Sequence, residues 1–163
     1  MNKSKILADL LAYFEHEKEK VETTVALARD YISEKDMQQE GKYDTRRIEA
    51  SYLAGAQGRR LEILKQDVQI LKAFELLEYT DDDEIGPGAL VHCCETMGKK
   101  KKDHLYFIVP SNGGVTLECD GKEIQVLSIH SPLGSELMRL EVNDIIELET
   151  PGGVKEVEIL ALY

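Results

Sequence analysis

Residues 80–88, TDDDEIGPG, mark the point at which the period of this sequence changes. Four acidic residues followed by Gly-Pro-Gly favour neither a continuing helix nor a central strand, because proline lacks a backbone donor and glycine favours turns. Before this stretch there is no proline, and apolar residues recur three or four apart. After it the apolar residues fall into short runs separated by turn residues. The boundaries read from this change are a helical region over 1–78, a linker over 79–88 and a second domain over 89–163.

The helical region carries two apolar stripes. The first runs through Ile6, Leu10, Phe14, Val21, Val25, Ala28 and Ile32, and the second through Ile48, Tyr52, Leu61, Leu64, Val68 and Leu71. Charged residues fill the other faces, so each stripe is narrow enough to be covered by the other. Between them SEKDMQQEGKYDT is polar and contains Gly41, chemistry that ends one helix and begins another. An antiparallel helical hairpin of coiled-coil type follows. A helix of about 30 residues is about 45 Å long, which places the tip far from the base.

Beyond the linker, ALVHCCET, HLYFIVPS, GVTLEC, KEIQVLSIH, NDIIELET and VKEVEILALY read as strands. Asp120-Gly121 is a tight-hairpin signal and Pro151-Gly152-Gly153 a second turn. One segment, SPLGSELMRL, breaks the strand pattern. Ser131 suits an N-cap, Pro132 the first turn, and Leu133, Leu137 and Leu140 form one apolar helical face. The class is therefore α+β, a helical hairpin followed by a small sheet carrying one short helix.

Composition narrows the function. The net charge of −11 is uneven: residues 1–80 hold 13 basic and 15 acidic side chains, and residues 81–163 hold 7 and 16. Such a surface argues against a general nucleic-acid coat, which needs cations to neutralise phosphates. No apolar run approaches the roughly 20 residues of a membrane span, and charge interrupts the N-terminus before a signal core forms, so a cytoplasmic protein without membrane association is expected. Cys93, Cys94 and Cys119 are odd in number and lack metal-ligand spacing, which suits buried reduced thiols. His16, His92, His104 and His130 show no paired spacing and receive no role. Lys99–Lys102 reads as a solubilising loop between two strands.

From Tyr106 onward the signatures YFIV, SPLG, ND, TPGG and EVEILALY occur in the order found in the C-terminal domain of the Gre transcript-cleavage factors, which this chain resembles. KYDTRRIEASYLAGAQGRR in the hairpin is similar to a divergent subgroup. The resemblance implies an FKBP-like C-terminal domain that docks on a coiled coil at the rim of the secondary channel of bacterial RNA polymerase, and a hairpin inserted through that channel. It does not imply prolyl isomerase activity, which in that fold needs an aromatic-lined pocket, whereas this chain has no tryptophan and only three phenylalanines. The sequence departs from the family at Ile108-Val109-Pro110, where IVG is usual, at Arg139, where a glycine is usual, and at Asn143-Asp144, where GD is usual.

The resemblance also implies the chemistry. In the family's cleavage factors, tip carboxylates help hold a second Mg²⁺ at the polymerase active site, where hard cations favour oxygen ligands. The family pattern is an aspartate, two residues and a glutamate, followed four residues later by a tyrosine. With that tyrosine at Tyr43, Asp36 takes the aspartate position, Gln39 the glutamate position, and Glu40 stands one further on. Asp36 and Glu40 are the candidates to assist the polymerase Mg²⁺, with Glu34 and Asp44 nearby; no metal is expected to stay bound to the free protein. Ser131, Pro132, Leu133 and Gly134 are the candidate docking loop. Arg46, Arg47, Arg59 and Arg60 either contact nascent RNA or polymerase, or neutralise acids across the hairpin. The expected protein is a monomeric accessory factor, not an enzyme, that stimulates the polymerase's own cleavage of backtracked RNA. The alternative is a non-cleaving channel regulator or inhibitor.

Overall fold

The computed structural model describes residues 2–37 and 45–163, and of residues 31–37, 45–47 and 50 it describes the backbone alone. Helix α1 spans Lys3–Met37 and α2 spans Thr45–Ala73. Asn2 caps α1, its Oδ1 accepting from the Lys5 amide at 3.1 Å. The chain divides into two compact units, Leu11–Lys72 and Met1–Leu10 together with Ala73–Tyr163. The first turns of α1 thus group with the sheet, although the continuous helical pattern alone assigns them to the hairpin.

In the Leu11–Lys72 unit the helices run antiparallel, with Phe14, Val21 and Val25 buried on α1 and Leu61, Leu64, Val68 and Leu71 buried on α2. Ion pairs Glu15–Lys72 at 2.7 Å and Glu17–Arg60 at 3.2 Å tie the helices together. The expected second stripe is corrected at its start: Ile48 is 55% and Tyr52 77% exposed. The nine residues from Tyr52 to Leu61 turn a helix through two and a half turns at 3.6 residues per turn, so the two halves of that stripe face opposite sides. Ile32 and Gly41, in the expected first stripe and loop, lie outside the described side chains and residues.

The six strands are β1 (Leu90–Met97), β2 (Lys100–Val109), β3 (Thr116–Cys119), β4 (Lys122–Ser128), β5 (Ile145–Thr150) and β6 (Gly153–Leu162), with α3 (Pro132–Leu137) between β4 and β5. They form one sheet in the order β3-β4-β2-β1-β6-β5. All neighbours are antiparallel except β2 and β4, which are parallel from Tyr106↔Gln125 to Val109↔Ser128. Asp120 and Gly121, at φ +53 and +73, make the tight turn that Asp-Gly signals. The lysine run is corrected from a loop to a strand: only Lys99 lies in the turn, and Lys100–Lys102 pair with Met97, Thr96 and Glu95.

Both sheet faces are buried, Leu90, Phe107 and Val126 on one and a larger cluster on the other. Val91 and Cys93 of β1, Tyr106 and Ile108 of β2, and Val157 and Ile159 of β6 meet Leu137 of α3 and Ile85. Leu133 of α3 and Leu140 pack against this cluster with partial exposure; α3 ends at Leu137 and Arg139 turns left-handed, so the expected helical face is corrected to Leu133 and Leu137, with Leu140 reaching the cluster from beyond the helix. Burying a side chain such as Leu137 contributes about 2 kcal/mol. The 79–88 segment has no regular structure but is fixed in place. Ile85 is fully buried, its amide donates to Leu140 O at 2.8 Å, and its carbonyl accepts from the Arg139 amide at 2.9 Å. The acids of this segment also bond: Asp83 accepts from the Thr80 amide and hydroxyl, each at 2.8 Å, and Asp81 accepts from the Leu162 amide at 2.8 Å.

Arg139 and Asn143 adopt φ +67 and +77. These are the two positions where the resembled family has glycine, so the backbone keeps a left-handed turn that an L side chain enters at a cost. Arg139→Gly is expected to stabilise the protein by about 0.5–1 kcal/mol and Asn143→Gly by less, since asparagine tolerates this region best. Urea midpoints check this; a midpoint lowered by Arg139→Gly would show that the arginine side chain outweighs the strain.

Candidate functional site

The Ser128–Gly134 loop is built by the parallel pairing of β2 and β4. That pairing brings the end of β4 beside the end of β2, and the Ile129 amide continues it by donating to Val109 O at 3.0 Å. The chain then turns. Ser131 has extended geometry, its hydroxyl donates to Ser128 O at 2.8 Å, and its Oγ accepts from the Gly134 amide at 3.1 Å. Pro132 occupies the first turn of α3, where its missing donor costs nothing. The Ser135 amide donates to Ser131 O at 2.8 Å.

Glycine is required within this turn. A Cβ on Gly134 would run into the Ser128 carbonyl and the Ser131 hydroxyl. A second glycine, Gly113, lies against the same strand end, where a Cβ would stand 2.6 Å from both Ser128 N and Val126 O. The result is a rigid loop that presents His130 and Pro132 to solvent, with Leu133 half-buried against the core and Gly134 buried.

The other candidates are distributed along the hairpin. Arg59 and Arg60 are both exposed, and Arg60 is paired with Glu17 across the helix pair. Asp36 lies on the last turn of α1 and Arg46 and Arg47 on the first of α2, but their side chains lie outside the described residues. Glu40, Gln39, Tyr43 and Asp44 lie wholly outside them, and so does the Glu34 side chain. Among the described residues, no group of three or more His, Cys, Asp or Glu side chains converges as a metal site, and no helix is long and apolar enough to cross a membrane.

One cluster was missed by the sequence reading. Glu95, with its side chain 12% exposed, accepts from the Tyr106 hydroxyl and, at 2.7 Å, from Lys155 Nζ. His104 Nε2 lies 3.4 Å from the other Glu95 oxygen, and its ring stacks on Tyr106 with centroids 5.6 Å apart. Burial opposes the charge of Glu95, but hydrogen bonds from Lys155 and Tyr106 and the Lys155 charge hold its carboxyl below the ordinary 4.5. Burial, with the charges of Lys102 and Lys155, holds His104 below 6.5 against the pull of Glu95. His104 therefore resists the proton that would turn its contact with Glu95 into an ion pair. Cys93, buried beside this cluster, has its thiol pushed up to about 12, first by burial and then by the Glu95 charge. All three cysteines are buried and free. Glu95 and His104 are in phase with Val91, Cys93 and Tyr106 on their strands, a signal available in the sequence, but Lys155 joins them only through pairing across 60 residues.

The family model for the transcription elongation factor GreA/GreB C-terminal region matches residues 80–163, which hold all six strands and α3. Transcription elongation factor GreA of Acholeplasma laidlawii (strain PG-8A) is 31% identical over 131 residues, covering 78% of this chain and 72% of the relative. The chain belongs to the GreA/GreB family. GreA of Rickettsia bellii (strain OSU 85-389) is 28% identical over 153 residues, covering 93% and 85% of the two chains. A crystal structure of GreA factor homolog 1 (Gfh1) of Thermus thermophilus aligns at 21% identity over 94% of each chain, with a TM-score of 0.36. Within this GreA/GreB chain the Ser128–Gly134 loop and the Glu95 cluster both lie inside the matched region.

Ser131→Ala in this family member is expected to cost about 1 kcal/mol through the lost cap, and Gly134→Ala more than about 2 kcal/mol, because the obstacle is partly backbone. Thermal melts with Ser131→Asn as a cap-preserving control check the ranking; a harmless Gly134→Ala would mean the turn can open. Acidification is expected to destabilise the fold in two stages. The unfolded chain protonates histidine near 6.5 and glutamate near 4.5, while the folded His104 and Glu95 resist until lower pH, so stability falls as pH drops below 6.5 and again below 4.5. Glu95→Gln should cost about 2 kcal/mol or more at pH 7 and flatten the lower stage. Denaturant midpoints from pH 7.5 to 3.5 test this; an unaltered acid profile in Glu95→Gln contradicts it.

Proposed function

We propose that this chain is a cytoplasmic accessory factor that binds bacterial RNA polymerase at its secondary channel and stimulates the polymerase's own cleavage of backtracked RNA. The observation that carries this reading is the family match over residues 80–163, together with a rigid capped loop at Ser131, Pro132, Leu133 and Gly134. In this reading the sheet domain is FKBP-like, its loop docks on the coiled coil at the channel rim, and the chain acts as a monomer. It is not an enzyme; the reaction belongs to the polymerase. A preformed loop with little left to order on binding loses less entropy than a flexible one, which favours docking through it.

The hairpin tip supplies the chemistry. Asp36 and Glu40 are the carboxylates proposed to hold a Mg²⁺ shared with the polymerase active site, and that ion would activate water for hydrolysis of nascent RNA. The free protein needs no metal. Arg59, with Arg46 and Arg47, is available in this reading for RNA phosphates or polymerase carboxylates, while Arg60 is engaged with Glu17. One feature favours the second reading, a non-cleaving regulator or inhibitor: Gln39 stands where the family's cleavage pattern has glutamate, and an amide cannot supply the second charge.

Stalled, backtracked elongation complexes with Mg²⁺ separate the two readings. Wild-type protein is expected to accelerate cleavage, and Asp36→Ala to remove at least about tenfold of that acceleration, as loss of a metal-holding carboxylate does. Binding to polymerase without acceleration would establish the regulator instead. Absence of binding would overturn both.

A further inference from the structure

We infer that the outer edge of β5 is a docking site for a basic polypeptide segment, which joins the sheet there as an added strand. The inference is independent of the polymerase reading and concerns the sheet unit alone.

Strand β5 ends the sheet, with β6 as its one neighbour. The Ile159 amide donates to Asp144 O, and the antiparallel register then runs without interruption from Ile145↔Glu158 to Thr150↔Gly153. Backbone groups in such a ladder alternate between the neighbouring strand and the outside, so those of Ile145, Glu147 and Glu149 point away from β6. Among the described residues no backbone partner meets them. Edges are commonly blunted by proline or by extreme shortness, and β5 has neither: it is six residues long and contains no proline.

The side chains decide what pairs there. On one face of the β5–β6 ribbon Ile145, Glu147 and Glu149 stand opposite Glu158, Glu156 and Val154. Ile145 is 61% and Val154 52% exposed, and Glu147, Glu149 and Glu156 are exposed with them. Glu147 directly faces Glu156, and like charges so placed destabilise a sheet. Among the described residues none of the four carboxylates has an ion-pair or hydrogen-bond partner. Lys155, the one cation of these two strands, is bonded to Glu95 on the opposite face. On the acidic face Lys101 stands two strands from Glu156, with Thr96 between them.

Protection of an edge against aggregation accounts for charge on β5, because an edge strand is what pairs with another chain. It does not account for Glu156 and Glu158, which lie on the inner strand and add repulsion. A cationic strand laid along β5 relieves that repulsion and completes the ladder at the same time. Antiparallel to β5, the segment carries basic residues beside Glu149 and Glu147 and an apolar one beside Ile145, with any residue between them. A second copy of this edge would set the same acids against each other, and nucleic acid or an anionic membrane would be repelled. Charge complementarity therefore selects a basic polypeptide.

The probe is an acetylated, amidated peptide containing Lys-Thr-Lys-Thr-Ile between serines, titrated calorimetrically into the full chain at about 0.1 M salt, where surface charges still act over about 10 Å. Saturable one-to-one binding is expected. It should weaken at least about tenfold for Glu-Thr-Glu-Thr-Ile, and about tenfold for the protein variant carrying both Glu147→Gln and Glu156→Gln, from two surface pairs lost. That variant should melt no lower than wild type, because the removed charges repel. The peptide N-methylated at its lysine and isoleucine amides keeps its charge but cannot complete the ladder, and it should not bind. Absence of binding by the unmodified peptide, equal binding by the N-methylated one, or an unweakened double variant overturns the inference. A double variant that melts lower than wild type also overturns it, since the acids would then serve the fold. Self-association of the unliganded chain in sedimentation, broken by Ile145→Lys, would assign the edge to a second copy and overturn it as well.

Discussion

A single parallel pairing, β2 with β4, organises the sheet unit. Parallel neighbours cannot be joined by a tight turn, so the chain leaving Val109 must travel back before β4 begins, and the β3 hairpin occupies that return. Both strands then end on the same side. Ser128 emerges beside Val109, the Ile129 amide extends the pairing, and the Ser131 cap starts α3 where Leu137 can fall onto the core face. The closeness of these backbones is why Gly113 and Gly134 admit no side chain. The loop proposed to dock is therefore a consequence of strand order, held by the sheet rather than by its own few residues.

The same face that receives α3 becomes polar at its other end. Val91, Cys93 and Glu95 alternate along β1, and the apolar surface closes at Glu95 because Lys155, Tyr106 and His104 satisfy a carboxylate that would otherwise be costly to bury. This cluster is a structural boundary. Its Glu95 charge adds to burial in pushing the Cys93 thiol up, and it makes the sheet unit sensitive to acid through two groups whose protons are resisted in the folded state.

Local chemistry made much of this fold legible in the sequence. The period-two runs located all six strands, Asp120-Gly121 its turn, and Ser131-Pro132 the start of α3, because each depends on neighbours within a few residues. Three features depended on more. Ile48 and Tyr52 look continuous with Leu61 only if the intervening nine residues are not counted around the helix. Lys100–Lys102 read as a loop because charge outweighed the pairing that Glu95, Thr96 and Met97 impose on them. Glu95 and Lys155 meet through strand order, which no local pattern encodes. At the hairpin tip, Glu40 lies outside the described residues and Asp36 is placed only by its backbone, so its chemistry rests on the sequence pattern.

The central claim is that the Ser131–Gly134 loop carries this GreA/GreB family member onto RNA polymerase. Pro132 is exposed and makes no contribution to the core, so it can be changed without disturbing the cap. The most direct measurement is equilibrium binding of the full chain and its Pro132→Asp variant to core RNA polymerase, with melting temperatures recorded for both. The account predicts specific binding by the wild type and affinity weakened at least about tenfold in a variant that melts normally. Equal affinity of the two chains would contradict docking through this loop.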